Sequence, residues 1–319
     1  MGALLAFPFV FQQHWILNMA FFTLMYAGLA QAWNLLGGFS GYVSLGHVAF
    51  FGLGAYAEAL LFQHVGIGSS GLLPFLVLPA IGLAVAVVSV PIAWVAFRTR
   101  HMTFAIVTLT LLFVVQTLAF NLHGLTNGSQ GLSLPGPSFS LYERPFYLCV
   151  LALFALATFI TWHVRRDRLG LMLLAIRDDE DKARGVGVRV TQAKVVTFAV
   201  SVGITAMIGG VWAYYIGYIY PQYAVDPLVM IGSILPVFLG GAGTVWGPVL
   251  GAFILVPAQQ WFAYQYGASE LYLIAYAAVF LLIVLLLPRG ILPSLRDAAA
   301  RRRDRRSSPV AAAAQKLTK

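Results

Sequence analysis

Nine apolar stretches, at 15–36, 43–65, 72–97, 102–120, 145–163, 195–216, 228–239, 247–262 and 270–287, dominate this chain of 319 residues. About twenty apolar residues carry a helix across the hydrocarbon of a bilayer, and most of these stretches reach that length. Lipid is therefore the solvent for most side chains. Composition agrees: 60% of residues are hydrophobic and 10% charged, against about 25% charged in soluble domains. The expectation is an all-α polytopic membrane protein of nine transmembrane helices. A tenth is added if the apolar start Leu4–Phe11 forms a short or interfacial helix. Residues 1–288 are read as one transmembrane domain and 289–319 as a basic, disordered tail.

Charge orients the spans. The formal net charge is +9, which could suggest nucleic acid. Its distribution says otherwise: eight Lys/Arg fall in 165–194, nine in 289–319, and Arg98 and Arg100 sit in a short loop. Such clusters beside apolar spans mark cytoplasmic loops. An outside N-terminus and inside C-terminus put nineteen of the twenty basic residues in the cytoplasm. No nucleic-acid partner is expected; the tail is drawn to anionic lipid headgroups. The single cysteine, Cys149, leaves no partner for a disulfide within the chain. The first fourteen residues hold no Lys or Arg, so no secretory n-region is visible. Asn127-Gly128-Ser129 matches a glycosylation sequon and is read as a turn.

The long charged stretch 165–194 predicts a short helix, with Leu169, Leu173 and Ile176 along one face. Arg177, Asp178, Asp179, Glu180, Asp181 and Lys182 follow, and Gly185 and Gly187 end it. Such a helix is shaped to be gripped by another protein; the alternative is a solvated loop that only sets topology.

Two glycine-rich stretches break the membrane pattern, Asn34–Tyr56 and Val237–Phe253. Gly37, Gly38, Gly41 and Gly46 answer loosely to Gly240, Gly241, Gly243 and Gly247, an internal repeat about two hundred residues apart. Backbone freed by glycine cannot face lipid, so these breaks are buried in protein or line a watery cavity. Broken or short helices in corresponding halves point to a translocation path. The candidates for that path are these eight glycines with Ser44, His47 and Glu58. Glu58 is the one formal charge inside the spans, about 18 Å along the helix from Gly46. It is placed toward the outer half, as a pathway group or a helix contact. His47 opens the same helix, either meeting substrate or bridging backbone groups.

No metal-ligand spacing, no G-x-x-x-x-G-K-[ST] and no G-x-S-x-G is present. Ion-driven transporters carry several intramembrane ionisable groups, and here they are nearly missing. Energy is expected from elsewhere.

Three segments carry a family resemblance. Asn34–Leu61, NLLGGFSGYVSLGHVAFFGLGAYAEALL, resembles the first signature of the bacterial branched-chain amino acid ABC transporter permeases of the LivM type. Leu174–Ser201 resembles that family's main cytoplasmic loop and the following span, and Val237–Phe253 its third signature. The resemblance implies a multi-pass inner-membrane permease subunit that is not itself an enzyme and holds no cofactor. ATP would be bound by two partner cytoplasmic ATPase subunits. A second, homologous permease subunit and a periplasmic substrate-binding protein would complete the assembly. By matching position, Ala175, Ile176, Arg177, Asp178, Asp179, Glu180 and Gly185 belong to the ATPase-coupling element. The implied solute is a branched-chain or hydrophobic amino acid. Glu58 departs from the small or hydroxyl residue expected there and leaves urea or short amides as alternatives. Two other classes stay in view: a self-sufficient secondary transporter, and an intramembrane enzyme using Glu58 and His47.

Overall fold

The computed structural model describes residues 2–11, 13–65, 72–134, 143–266, 277–278, 281 and 290–295. The helices in chain order are α1 (Gly2–Val10), α2 (His14–Ser40), α3 (His47–Val65), α4 (Leu73–Ala96), α5 (His101–Asn121), α6 (His123–Thr126), α7 (Glu143–Arg166), α8 (Arg168–Asp178), α9 (Glu180–Gly185), α10 (Val190–Ile216), α11 (Pro221–Ala224), α12 (Pro227–Gly240) and α13 (Gly247–Tyr266). One two-residue antiparallel pair, β1 (Leu132–Ser133) with β2 (Tyr218–Ile219), clips two connecting loops together at one end. The Asn127 turn has φ of 58°, a left-handed residue between α6 and a single 3-10 turn.

Among the described residues, six segments are long and apolar enough to cross a membrane by length and composition: His14–Ser40, Leu73–Ala96, His101–Asn121, Arg144–Arg166, Val190–Ile216 and Pro221–Gly240. The chain is a multi-pass, all-α membrane protein. α3 and α13 are less apolar because Glu58, Gln63 and His64 interrupt one and Gln259, Gln260 and Gln265 the other. Most of the expected span at 270–287, with Glu270, and most of the tail lie outside the described residues. α1, nine residues long, is too short to span. It lies on α7, where the Tyr147 hydroxyl donates to the Leu4 carbonyl at 2.9 Å.

α2 and α10 are the centre. Every residue from Ala27 to Ser40 is buried, as is every residue from Ser201 to Tyr214. A helix apolar and buried all round is an interior span. Small residues let neighbours close on α10: a methyl on Gly209 would strike the Phe51 backbone, and one on Gly54 the Ala206 backbone. α3 and α4 flank α10, while α7, α12 and α13 flank α2. α4 and α5 turn Leu76, Leu83, Val87, Ile106, Phe113 and Val114 outward, as lipid-facing helices do.

The charged stretch forms two helices where one was expected. Asp179 stands between α8 and α9 in an extended conformation, and its carboxylate accepts from the Lys182 backbone N–H at 3.0 Å. An aspartate at such an N-cap starts a new helix rather than continuing the old one. α8 buries Gly170, Leu173 and Ile176, and α9 buries Glu180 and Ala183.

Candidate coupling and translocation site

The two glycine-rich breaks are equivalent in the structure. α2 ends at Ser40 and α3 starts at His47; α12 ends at Gly240 and α13 starts at Gly247. Each break is six residues, 41–46 and 241–246. Gly41 closes α2 with φ of 74°, and Gly243 sits mid-break with φ of 79°. Only glycine takes that conformation without steric cost.

Side chains satisfy the freed backbone. Asn34 Oδ1 accepts from the Gly243 N–H and Asn34 Nδ2 donates to the Thr244 carbonyl, both at 2.9 Å. Gln31 Nε2, one turn earlier on α2, donates to the Val245 carbonyl at 2.6 Å. The Trp33 indole donates to the Ser44 carbonyl at 2.8 Å, and the Leu45 N–H donates to Thr108 Oγ on α5 at 3.0 Å. The α2 helix thus holds both breaks at once. Close approach explains the remaining glycines. A Cβ on Gly38 would lie 2.7 Å from the Gly243 nitrogen. One on Gly37 would enter the Trp33 ring, and one on Gly46 would meet the Thr108 carbonyl. Gly240 and Gly247 face each other across the second break, and Gly241 lies between them with φ of 118°.

The breaks gather at the basic end of the bundle, against α8 and α9. Arg177 Nη1 donates to the Gly38 carbonyl at 2.7 Å. A Cβ on Gly243 would come within 2.5 Å of that same nitrogen, and one on Gly41 within 3.2 Å of the Arg177 side chain. Arg177 therefore lies where the two breaks meet. Glu180 is a second tie. Its carboxylate accepts from the Tyr42 hydroxyl in the first break, from Lys194 Nζ at 3.2 and 3.3 Å, and from Arg184 at 3.0 Å. Lys194 is 1% exposed and also lies 4.1 Å from the centre of the Tyr42 ring. Burial pushes the Glu180 carboxyl up, but the Tyr42 hydroxyl and the Lys194 charge outweigh it and hold the group below its ordinary value. Burial and the Glu180 charge hold the Tyr42 hydroxyl well above its own. Arg100, between α4 and α5, grips Asp181 with two bonds of 3.0 and 3.1 Å.

The family model described as "Branched-chain amino acid transport system / permease component" matches residues 15–287. The chain belongs to this family. The permease is 27% identical over 322 residues to the high-affinity branched-chain amino acid transport system permease protein LivM of Salmonella typhimurium, covering 91% of this chain and 73% of the relative. It is 22% identical over 290 residues to LivH of the same organism, covering 84% and 91%. A shorter match joins it to the autoinducer 2 import system permease protein LsrC, at 32% over 124 residues and 35% of each chain. No solved structure matches it.

The residues singled out in the permease sequence separate in space. Arg177 and Glu180 reach into the membrane domain, joined by Ile176, which is fully buried, and Ala175, which is partly buried. Asp178 and Gly185 face outward, and Asp179 is spent on its cap. Gly38, Gly41 and Gly243 sit together at Arg177, whereas Gly37 packs on Trp33, Gly46 on Thr108, and Gly240 on Gly247. His47 lies deeper, with Nε2 2.7 Å from Ser201 Oγ on α10; Ser201 in turn donates to the Ala32 carbonyl on α2 at 2.5 Å. Glu58 belongs to neither group. It is 2% exposed, its Oε2 has no hydrogen-bond partner among the described residues, and it lies against Gly210 of α10.

Sequence reasoning passed over Gln31, Asn34, Tyr42 and Lys194. The signal for the first two was present: amides three residues apart on an otherwise apolar helix share a face and need partners when buried. Lys194 stood one residue outside the span expected at 195–216.

Proposed function

We propose that this chain is a permease subunit of an ATP-driven importer that translocates branched-chain or other hydrophobic amino acids delivered by a periplasmic binding protein. It sits in a bacterial inner membrane with its basic end and C-terminus in the cytoplasm. A second, homologous permease subunit, two cytoplasmic ATPases that bind the ATP, and the binding protein complete the assembly, and the chain carries no cofactor. The observation that carries the mechanism is the Arg177 bond to Gly38 beside Gly243. α8 and α9 form the coupling element, with Asp178, Lys182 and Val186 turned outward toward an ATPase. Motion of that element pulls on both breaks through Arg177 and Glu180. Since the breaks begin α3 and α13, the motion becomes a tilt of two helices in the bundle. Alternating access needs such a bistable joint.

The test is reconstitution with the partner ATPases, comparing wild type with Arg177→Ala/Asp178→Ala/Asp179→Ala. The variant is expected to insert normally but to lose ATPase binding and ATP-dependent leucine uptake. Retention of both would mean that 165–194 only sets topology. If both proteins bind ATPases and neither moves leucine, the solute is wrong, and urea is tried next.

A further inference from the structure

A narrow crevice lies inside the bundle, where α2, α3, α10 and α12 meet. Its apolar wall includes Leu29, Val229 and Met230; its polar members are His47, Thr205 and Ser233. Each polar member has its proton committed elsewhere. Thr205 Oγ1 donates to the Ser201 carbonyl at 3.0 Å and Ser233 Oγ to the Met230 carbonyl at 2.7 Å. The Ser201 hydroxyl is used on Ala32, so its oxygen accepts from His47, which fixes the ring hydrogen on Nε2. His47 Nδ1 is left as a buried acceptor with no partner among the described residues. A buried polar atom without a partner is costly and calls for a reason.

The cavity therefore offers bare acceptors and no donor from its three polar side chains, beside aliphatic surface. We infer that it is the amino-acid subsite of the translocation path, with His47 Nδ1 accepting from the α-ammonium group of the substrate. An ammonium brings three N–H donors and no acceptor, which matches His47 Nδ1, Thr205 Oγ1 and Ser233 Oγ. The substrate's own carboxylate balances its charge, and a branched apolar side chain meets Leu29, Val229 and Met230. In this conformation the side chains leave room for little more than a water molecule. The subsite is thus closed here and opens when α3 and α12 separate, the helices that border the two breaks. It is distinct from the glycine breaks, which Gln31, Asn34 and Trp33 of α2 hold through backbone groups. The inference rests on the amino-acid reading of the function.

The experiment measures ATP-driven leucine and alanine uptake by the complete importer in liposomes, with the same binding protein throughout. Leu at 47 removes the Nδ1 acceptor, whereas Gln keeps both an N–H for Ser201 and an amide-oxygen acceptor. His47→Leu is expected to lower leucine uptake about tenfold, as loss of a charge-assisted hydrogen bond does, and His47→Gln to retain most of it. Val229→Phe is expected to lower the ratio of leucine to alanine uptake about tenfold, the discrimination a methylene or two gives in a tight pocket. Val229→Ala, which cannot clash, is expected to raise that ratio. Copurification with the second permease subunit checks assembly. Unchanged ratios in both Val229 variants, with unchanged uptake in His47→Leu, overturn the subsite while the amino-acid reading stands. If wild type itself moves no amino acid under these conditions, the functional reading falls and takes the subsite with it.

Discussion

Arg177 and Gly38, 139 positions apart in the chain, are joined by a 2.7 Å hydrogen bond from guanidinium to backbone carbonyl. The carbonyl belongs to the last turn of α2, and such groups have no partner within their helix. Arg177 caps the helix that holds both breaks. Arg177→Ala is expected to leave ATPase binding intact and to lower uptake at least about tenfold, since a hydrogen bond from a charged donor contributes about 1.5–3 kcal/mol. Lysine at 177 is not expected to restore uptake, because a point charge on a flexible stem does not reproduce the rigid fork. Comparing copurification with uptake separates the two effects.

Glu180 and Lys194 form a buried pair that joins α9 to the start of α10. Glu180→Gln strands the ammonium and is expected to destabilise the protein by about 3–5 kcal/mol. The double change Glu180→Gln/Lys194→Met is expected to recover most of that loss. Thermal unfolding in detergent measures both.

The same pair sets an acid limit. The Glu180 carboxyl lies below its ordinary value of 4.5 in the folded protein. Its contribution is therefore complete above that value and lost as pH falls through the lower folded one. No loss of melting temperature from this group is expected between pH 7 and 5, and a loss is expected further down. In Glu180→Gln that acid-side loss is expected to shrink.

Gly243 and Gly185 were singled out alike from the sequence but differ in their surroundings. At Gly243, φ is 79° and a Cβ would crowd Arg177 and Gly38; at Gly185 an added Cβ would meet no described residue beyond its own helix. Gly243→Ala is expected to abolish uptake, whereas Gly185→Ala is expected to change melting temperature little. If Gly185→Ala nonetheless weakens ATPase binding, that residue touches the ATPase.

Asn34→Ala removes two of the bonds that hold the second break, leaving the Gly243 N–H and the Thr244 carbonyl unpaired. Each buried unpaired group costs about 1–3 kcal/mol. The expected result is a marked fall in melting temperature, deeper than for Glu58→Gln. Glu58 touches neither the breaks nor the cavity, and its Gln variant is expected to transport leucine within about twofold of wild type, since a buried carboxyl and a carboxamide have nearly the same volume. A large uptake defect in Glu58→Gln would place that residue in the path.

The class of the fold was legible because it depends on solvent. A chain with apolar runs this long has few structures open to it, and helices satisfy their own backbone. The breaks were legible too, since Gly37–Gly38 and Gly240–Gly241 announce them within otherwise continuous spans. The division of the charged stretch at Asp179 was not, because an aspartate can extend a helix surface or cap the next helix, and only its bond to the Lys182 N–H decides.

By itself the sequence determined the membrane, the positions of the breaks, and the charged segment that reaches them. Which groups meet was decided by the tertiary structure alone. Gln31, Asn34 and Arg177 find partners 214, 209 and 139 residues away. Glu58 and His47, eleven residues apart on one helix, end in different surroundings. Periodicity records what a residue needs from its solvent; a buried hydrogen bond depends on which helix packs beside it.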